Sequence, residues 1–312
     1  MMTRIVVLGG AGFLGSHLCD AFVSRGDEVV ALDNFSTGSI RNLKHLFEVE
    51  NFSLVDADIC KPIQVEGKVD IVMNFASPAS PKKYLQMPIE TLQAGSRGTE
   101  NAIQLALKND SRLIMASTSE VYGDPLVIPQ SETYFGNVNP LGVRSCYDEA
   151  KRFSEALLMA HKRTSGLDLG IARIFNTYGP RLDPNDGRVV STMINQVISN
   201  QDLTVHGDGT QTRSFCYVDD LIRGIIALTE SSEVGPINLG NDNEISVLDL
   251  ANLVLKINKS SNKISFTTRI EDDPQQRCPD LLLAKTKLGW TSKISLEDGL
   301  SKTIEWSKSQ RL

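Results

Sequence analysis

The sequence predicts an α/β fold, a doubly wound parallel sheet followed by a smaller mixed α/β C-terminal lobe. Three observations predict it. Short β-branched apolar runs alternate with amphipathic segments as far as residue 174, the pattern of a parallel sheet covered on both faces. The first run breaks into Gly9-Gly10-Ala11-Gly12-Phe13-Leu14-Gly15, a glycine-rich turn between a strand and a helix. After Asn176 the alternation gives way to loop chemistry and shorter elements, which places one lobe at 1–176 and the second mainly at 177–312. A chain of 312 residues exceeds the usual ceiling for one core, in keeping with two lobes.

In order along the chain, residues 5–9 (Ile-Val-Val-Leu-Gly) have the form of a strand buried on both faces. The glycine turn follows, then an amphipathic helix to Phe22. Residues 28–33 (Glu-Val-Val-Ala-Leu-Asp) form a second strand that ends in Asp33. Further strands are expected at 52–55, 71–75, 113–116 and 169–174, with long helices at 89–107 and 147–164. Beyond Asn176, residues 177–181 and 184–187 read as loops. A helix at 189–199, a strand at 203–206, a polar loop at 207–213 and helices at 219–229 and 247–257 follow. Residues 271–280 read as a charged loop, and an amphipathic helix at 296–307 closes the pattern. Residues 236–240 (Pro-Ile-Asn-Leu-Gly) have the make-up of a strand that returns to the main sheet.

Composition excludes several classes. A net charge of −6 gives no support for a nucleic-acid surface. Cys19, Cys60, Cys146, Cys216 and Cys278 are odd in number, scattered and without a C-x-x-C pair. That suits a reducing compartment and argues against disulfides or structural zinc. His17, His45, His161 and His206 show no ligand spacing, so no metal is expected. No apolar run approaches the roughly 20 residues that span a bilayer. The first strand begins within a few residues of Met1 and leaves no room for a targeting segment, so the sequons at Asn34 and Asn51 read as chance. The expectation is a cytoplasmic protein with no nucleic-acid or membrane partner.

The chemistry is expected between residues 113 and 151. The apolar run at 113–116 breaks into Ser117-Thr118-Ser119-Glu120, which puts hydroxyls and a carboxylate at the edge of a parallel sheet, where open α/β folds bind ligands. Tyr147 and Lys151, four apart, share one helix face. A Lys ammonium beside a phenol favours the phenolate, lowering its pKa of about 10 toward neutrality. A solvated i,i+4 pair would explain the same spacing. The spacing Gly9, Gly12, Gly15 lets backbone approach a pyrophosphate that sits on the helix N-terminus. Asp33, 18 residues after Gly15, would accept hydrogen bonds from a ribose 2′-hydroxyl and repel a 2′-phosphate, favouring NAD over NADP. Phe13, Leu14, Asn34 and Ala76 are placed beside the same cofactor, and Asp58 near its adenine, with a loop carboxylate as the alternative for Asp58.

With Gly9-x-x-Gly12-x-x-Gly15, Thr118-Ser119 and Tyr147-x-x-x-Lys151, the whole chain resembles the extended short-chain dehydrogenase/reductases that act on nucleotide sugars. Within them it resembles the UDP-glucuronate decarboxylases. The residues that carry this are the Ser77-Pro78-Ala79-Ser80-Pro81-Lys82-Lys83-Tyr84 segment, Glu120 within Ser117–Gly123, and the stretches 139–149, 173–181, 211–213 and 273–280. One departure is Ala150, where the family carries Gly; a methyl group on an exposed helical turn is expected to leave the Tyr-Lys pair undisturbed.

The resemblance implies that Tyr147 removes the C4 hydroxyl proton of UDP-glucuronate while hydride passes to NAD. Lys151 holds the phenolate and the cofactor ribose, and Thr118 or Ser119 donates to the same oxygen. CO2 then leaves from the β-keto acid, and the retained NADH re-reduces C4 to give UDP-xylose. Glu120 would handle a proton or a water near C5 and C6, with a raised pKa beside a carboxylate substrate. Arg277 would be the cationic partner, an ion pair with Asp272 or Asp273 being the simpler alternative. Tyr84, Asn176, Arg181 and Arg213 would contact the sugar, diphosphate or uridine. The family also pairs the helices near 89–107 and 150–158 into a four-helix homodimer. A 4-epimerase, a 4,6-dehydratase or a branched-pentose synthase shares the C4 oxidation, and a non-catalytic NAD-sensing scaffold shares the fold.

Overall fold

A computed structural model describes residues 2–268 and 275–310. Glu271, Asp272, Asp273 and Pro274 of the expected charged loop lie outside the described residues. The first lobe runs β1 (Arg4–Leu8), α1 (Phe13–Arg25), β2 (Glu28–Asp33), β3 (Phe52–Asp56), β4 (Ile71–Asn74), α2 (Pro81–Gln86), α3 (Pro88–Gln93), α4 (Thr99–Asn109), β5 (Arg112–Thr118), α5 (Ser145–Ser165) and β6 (Leu169–Ile174). The apolar runs are buried as their composition demands: Ile5, Val6, Val7 and Leu8 have no exposed surface.

The remainder runs β7 (Thr177–Tyr178), α6 (Val189–Ile198), β8 (Leu203–His206), β9 (Thr212–Ser214), β10 (Cys216–Tyr217), α7 (Val218–Glu230), β11 (Ile237–Leu239), β12 (Glu244–Ser246), α8 (Val247–Asn258), β13 (Ile264–Thr267), β14 (Gln276–Arg277), α9 (Leu282–Leu288) and α10 (Leu296–Ser309). Seven strands form the main sheet in the order β3-β2-β1-β4-β5-β6-β11. All are parallel; β1 pairs with β2 in register Val7↔Ala31 and with β4 in register Val7↔Met73. The order reverses between β1 and β4, and a parallel sheet opens a crevice at the carboxyl ends of such a pair. The expected return strand is β11, which pairs with β6 in register Ile237↔Ala172.

Where the sequence predicts one helix at 89–107, the chain forms α3, a wider π turn over 94–98, and α4. Pro88 stands at the first position of α3, where its missing N–H costs nothing. The wide turn lies under α5: Ser154 Oγ donates to the Gly95 carbonyl at 2.7 Å. A Cβ on Gly95 would stand 2.6 Å from the Ala150 Cβ. Ala150 is buried, not exposed as expected, and its methyl fits because Gly95 opposite has none.

The loop expected at 177–181 begins with β7, paired with β10, and the polar loop at 207–213 ends in β9. β9 pairs antiparallel with β12 and parallel with β14. Strands of two or three residues carry no readable alternation, so they left no signal. One apolar cluster joins Val7, Val29 and Ile114 of the main sheet to Tyr178, Met193, Leu221, Trp290 and Ile304 of the later elements. Val6, Leu8, Leu113, Ile103 and Leu158 form a separate cluster on the sheet's other face. The tightness of the α5 contact is testable. Gly95→Ala is expected to cost about 1–3 kcal/mol by overpacking, part of it regained in an Ala150→Gly background, both read from urea unfolding.

Candidate active site

The crevice at the switch point opens into a cavity of about 970 Å³. Gly9, Gly12, Phe13, Leu14 and Gly15 line one end. A Cβ on Gly15 would collide with the Gly9 carbonyl, so α1 can start this close to β1 only because position 15 has no side chain. No side chain caps the N-terminus of α1, which leaves its first N–H groups for an anion. Asp33 is buried; its Oδ2 accepts from Ala11 N at 2.9 Å and its Oδ1 from Phe35 N at 2.8 Å. Burial raises its pKa, and those backbone donors oppose the shift. Each oxygen keeps a lone pair for a ribose hydroxyl. Asp33, Asn34, Asp58 and Ala76 lie outside the cavity lining. Asn34 and Asp58 serve local turns, Asn34 Oδ1 accepting from Ser36 N and Asp58 Oδ1 from Cys60 N. Residues 35–39, Arg41 and Asn42 instead line this end, and none was expected to.

Thr118, Ser119, Glu120, Tyr147 and Lys151 line the middle of the cavity. Tyr147 is buried at the start of α5, with the Thr118 side chain hydrogen-bonded to its phenol. Lys151 Nζ donates to the Ala116 carbonyl at 2.8 Å and lies 5.8 Å from the Tyr147 ring centre. The expected lowering of the phenol pKa is overturned. Burial pushes Tyr147 up to about 12, and the cation opposing this most is Arg188. Burial also lowers Lys151 to about 8. The i,i+4 spacing brings the two side chains together, but it does not reveal that both are desolvated.

Glu120 sits in the single-turn helix that follows β5. Arg277 grips it with both guanidinium nitrogens, Nη1 on Oε1 at 2.5 Å and Nη2 on Oε2 at 3.1 Å, and Arg144 also donates to Oε2. The sequence led us to expect a raised Glu120 pKa beside a carboxylate substrate, and burial by itself would act in the same direction. Arg277 and Arg144 outweigh it and hold the carboxyl down at about 2. The Tyr84 ring stacks on Tyr147, 5.1 Å between centres and 6° between planes, and its buried hydroxyl has no protein partner. Asp148 is buried behind this group, its Oδ1 unpartnered. Burial, then the Glu120 charge, raise its pKa to about 7.

Asn176, Arg181, Arg213 and Arg277 come to the same cavity from the other side. The buried Asn176 Nδ2 has no protein partner. Arg181 Nη2 donates to Asp20 of α1 at 2.5 Å, which draws it toward the glycine-turn end. Arg213 donates to the Thr212 carbonyl at 2.7 Å and faces Arg277 in the β9–β14 register. Arg144, Asp148 and Arg188 were not foreseen. Arg144 and Asp148 flank Tyr147 in sequence, but nothing in the spacing reveals what they face.

A doubly wound sheet with a glycine turn, strand-end hydroxyls and a Tyr-x-x-x-Lys helix defines a dinucleotide-dependent short-chain dehydrogenase/reductase. Residues 5–240 match the NAD dependent epimerase/dehydratase family, and the chain belongs to it. It is 51% identical over 301 residues to UDP-glucuronic acid decarboxylase 1 of Arabidopsis thaliana, covering 96% of this chain and 69% of the relative. The fold matches UDP-glucose 4-epimerase of Thermotoga maritima, solved with UDP-glucose, with a TM-score of 0.92, 28% identity and coverage of 99% and 100%. It also matches UDP-glucuronic acid 4-epimerase of Bacillus cereus, solved with UDP-glucuronic acid and NAD, with a TM-score of 0.85, 27% identity and coverage of 99% and 100%. Among the described residues no helix is long and apolar enough to cross a membrane.

The raised Asp148 pKa fixes the sign of a pH effect. The folded chain holds this proton from the ordinary 3.8 up to about 7, where the unfolded chain has released it. Stability therefore falls as pH rises through that window. Asp148→Asn removes the slope, so urea unfolding should show the variant gaining on the parent between about pH 4 and about pH 7.

Proposed function

We propose that the chain decarboxylates UDP-glucuronate to UDP-xylose with NAD as a recycled cofactor. The observation that carries this reading is the grip of Arg277 and Arg144 on Glu120 beside Tyr147. With Asp148 protonated behind them, two guanidiniums against one carboxylate leave one positive charge in surplus, the complement of a glucuronate carboxylate. The Arabidopsis relative, a decarboxylase by name, supports the same reaction.

Bound NAD supplies the electron sink by accepting hydride from C4 and later returning it, so none is consumed. Its site would be formed by Gly9, Gly12, Phe13, Leu14 and Gly15 at the pyrophosphate and Tyr147 and Lys151 farther in, with Asp33 and Asn34 assigned to the ribose, Asp58 to the adenine and Ala76 beside them, all four beyond the cavity lining. Tyr147 takes the C4 hydroxyl proton, and Thr118 and Ser119 orient that oxygen. Lys151, held on the Ala116 carbonyl, keeps a cation beside the phenol as the proton arrives. The new ketone stands β to the carboxylate, so CO2 leaves and an enolate remains. Glu120, ionised under its two arginines, orients the water that returns a proton to C5, and Arg277 stands beside it as the cation. Tyr84, Asn176, Arg181 and Arg213 hold the sugar and the diphosphate. On this reading residues 1–176 serve the cofactor and the chemistry, and 177–312 mainly serve the nucleotide sugar. Ile89, Leu92 and Phe153 leave apolar surface on the outer side of α3 and α5, which suits a homodimer through a four-helix bundle. The enzyme works in the cytoplasm, with no nucleic-acid or membrane partner.

Incubation with UDP-glucuronate and NAD is expected to yield equal amounts of CO2 and UDP-xylose by mass spectrometry. A product that keeps all six sugar carbons would make the chain an epimerase or dehydratase instead. Tyr147→Phe should lower kcat by about 10²–10⁴-fold. Full retention of CO2 release in Glu120→Gln would remove Glu120 from the mechanism. Phe153→Asp should halve the molecular mass measured by light scattering.

A further inference from the structure

Arg277 reaches Glu120 from β14, a strand of two residues. Such a short strand fixes a guanidinium poorly, so something else must hold the backbone beyond it. Gln130, in the loop between the Glu120 turn and α5, is fully buried and does so. Its N–H donates to the Cys278 carbonyl at 2.9 Å, and its Oε1 accepts from Cys278 N at 3.0 Å. Its carbonyl accepts from Asp280 N at 2.9 Å. Three of its polar groups therefore grip the residues just after Arg277. Its fourth, Nε2, donates to the Val127 carbonyl of its own loop at 3.0 Å.

The grip is backed from below. Asn238 of β11, also fully buried, donates from Nδ2 to the carbonyls of Gln130 and Asp280, at 2.9 and 3.1 Å. Its Oδ1 accepts from the Tyr122 hydroxyl at 2.8 Å, and that hydroxyl accepts from Arg173 at 3.0 Å. Arg173 pairs with both oxygens of Glu155, at 2.9 and 2.7 Å. Glu155 lies one turn beyond Lys151 on α5 and accepts from Ser117 Oγ at 2.5 Å. Backbone and hydrogen bonds together thus close a ring: the chain runs from Glu120 through the loop to Gln130, hydrogen bonds cross to Cys278, and Arg277 next to it pairs back with Glu120.

We infer that Gln130, backed by Asn238 and Tyr122, is a positioning residue that keeps Arg277 at the reacting end of the sugar whenever its pairing with Glu120 loosens. The inference rests on the decarboxylation reading, in which substrate carboxylate competes with Glu120 for the guanidinium. Gln130 then serves the steps at C5 and C6, while oxidation at C4 depends on Tyr147 and Lys151, to which it makes no hydrogen bond.

The test measures two rates in each protein: NADH appearing in a single turnover with UDP-glucuronate, and UDP-xylose formed in the steady state. Wild-type release of CO2 is measured first; its absence overturns the decarboxylation reading and this inference together. In Gln130→Met we expect UDP-xylose formation to fall about 10-fold or more, with NADH appearance changed by less than about threefold. In an Arg277→Ala background Gln130→Met should add no further loss, because it acts through that arginine. An unchanged rate, equal losses in both rates, or an additive loss beside Arg277→Ala would each overturn the inference and leave Gln130 as a fold support. Should Gln130→Met fail to fold by circular dichroism, Tyr122→Phe, which removes one hydroxyl, decides: a fall of about threefold in UDP-xylose formation with NADH appearance unchanged supports the inference, and an equal fall in both rates or no fall overturns it.

Discussion

A buried carboxylate has to be matched by charge, and Glu120 is the one on which this molecule turns. Taking it out of water costs several kcal/mol, which only close and well-aligned partners return. Arg144 arrives from the start of α5 and Arg277 from β14, so the match requires the two parts of the chain to meet at one point. The stacked Tyr84 and Tyr147 rings and the Glu120 pairing line the same cavity. A surplus of positive charge then remains where an acidic sugar would bring its own carboxylate.

The same desolvation acts on the catalytic pair. Tyr147 and Lys151 are both pushed toward their neutral forms, so the resting site holds its phenol protonated and its amine only loosely so. The groups that oppose this on Tyr147 are Arg188 and Thr118, one from each part of the chain. Activation of the phenol is therefore a property of the assembled cavity rather than of one helix face. Cationic charge brought close to the phenol on binding favours its ionised form, which ties proton removal to occupancy.

Much of this was legible in the residues. Apolar runs mark the strands of the first lobe, most clearly the inner ones, and the Pro-Ile-Asn-Leu-Gly segment marks β11, because buried parallel strands must be continuously apolar, while the edge strand β3 is half exposed and shows the weaker pattern. The glycines, Tyr147, Lys151 and the strand-end hydroxyls were readable because their chemistry demands fixed spacing. Arg277 was reached only through family resemblance. Arg144, Arg188 and Gln130 were not reached at all, since their roles arise from contacts across distant parts of the chain. Against expectation, burial raises the pKa of Tyr147 and two arginines lower that of Glu120, and both the burial and the pairing are properties of tertiary packing. The short strands β7, β9, β10, β12 and β14 fell below the length at which a pattern can be seen.

The placement of β11 has a consequence for how the chain is made. Residues 237–239 fill the edge of a sheet whose other six strands end by residue 174. A ribosome delivers the chain from its N-terminus, so β6 emerges with an open edge and waits for more than sixty further residues to be synthesised. Through that interval the nascent protein presents an unpaired parallel strand, the kind of surface that invites pairing with other chains. Cutting the gene near residue 176 would make that interval permanent. The functional division of the molecule is thus not a division into parts that can mature separately.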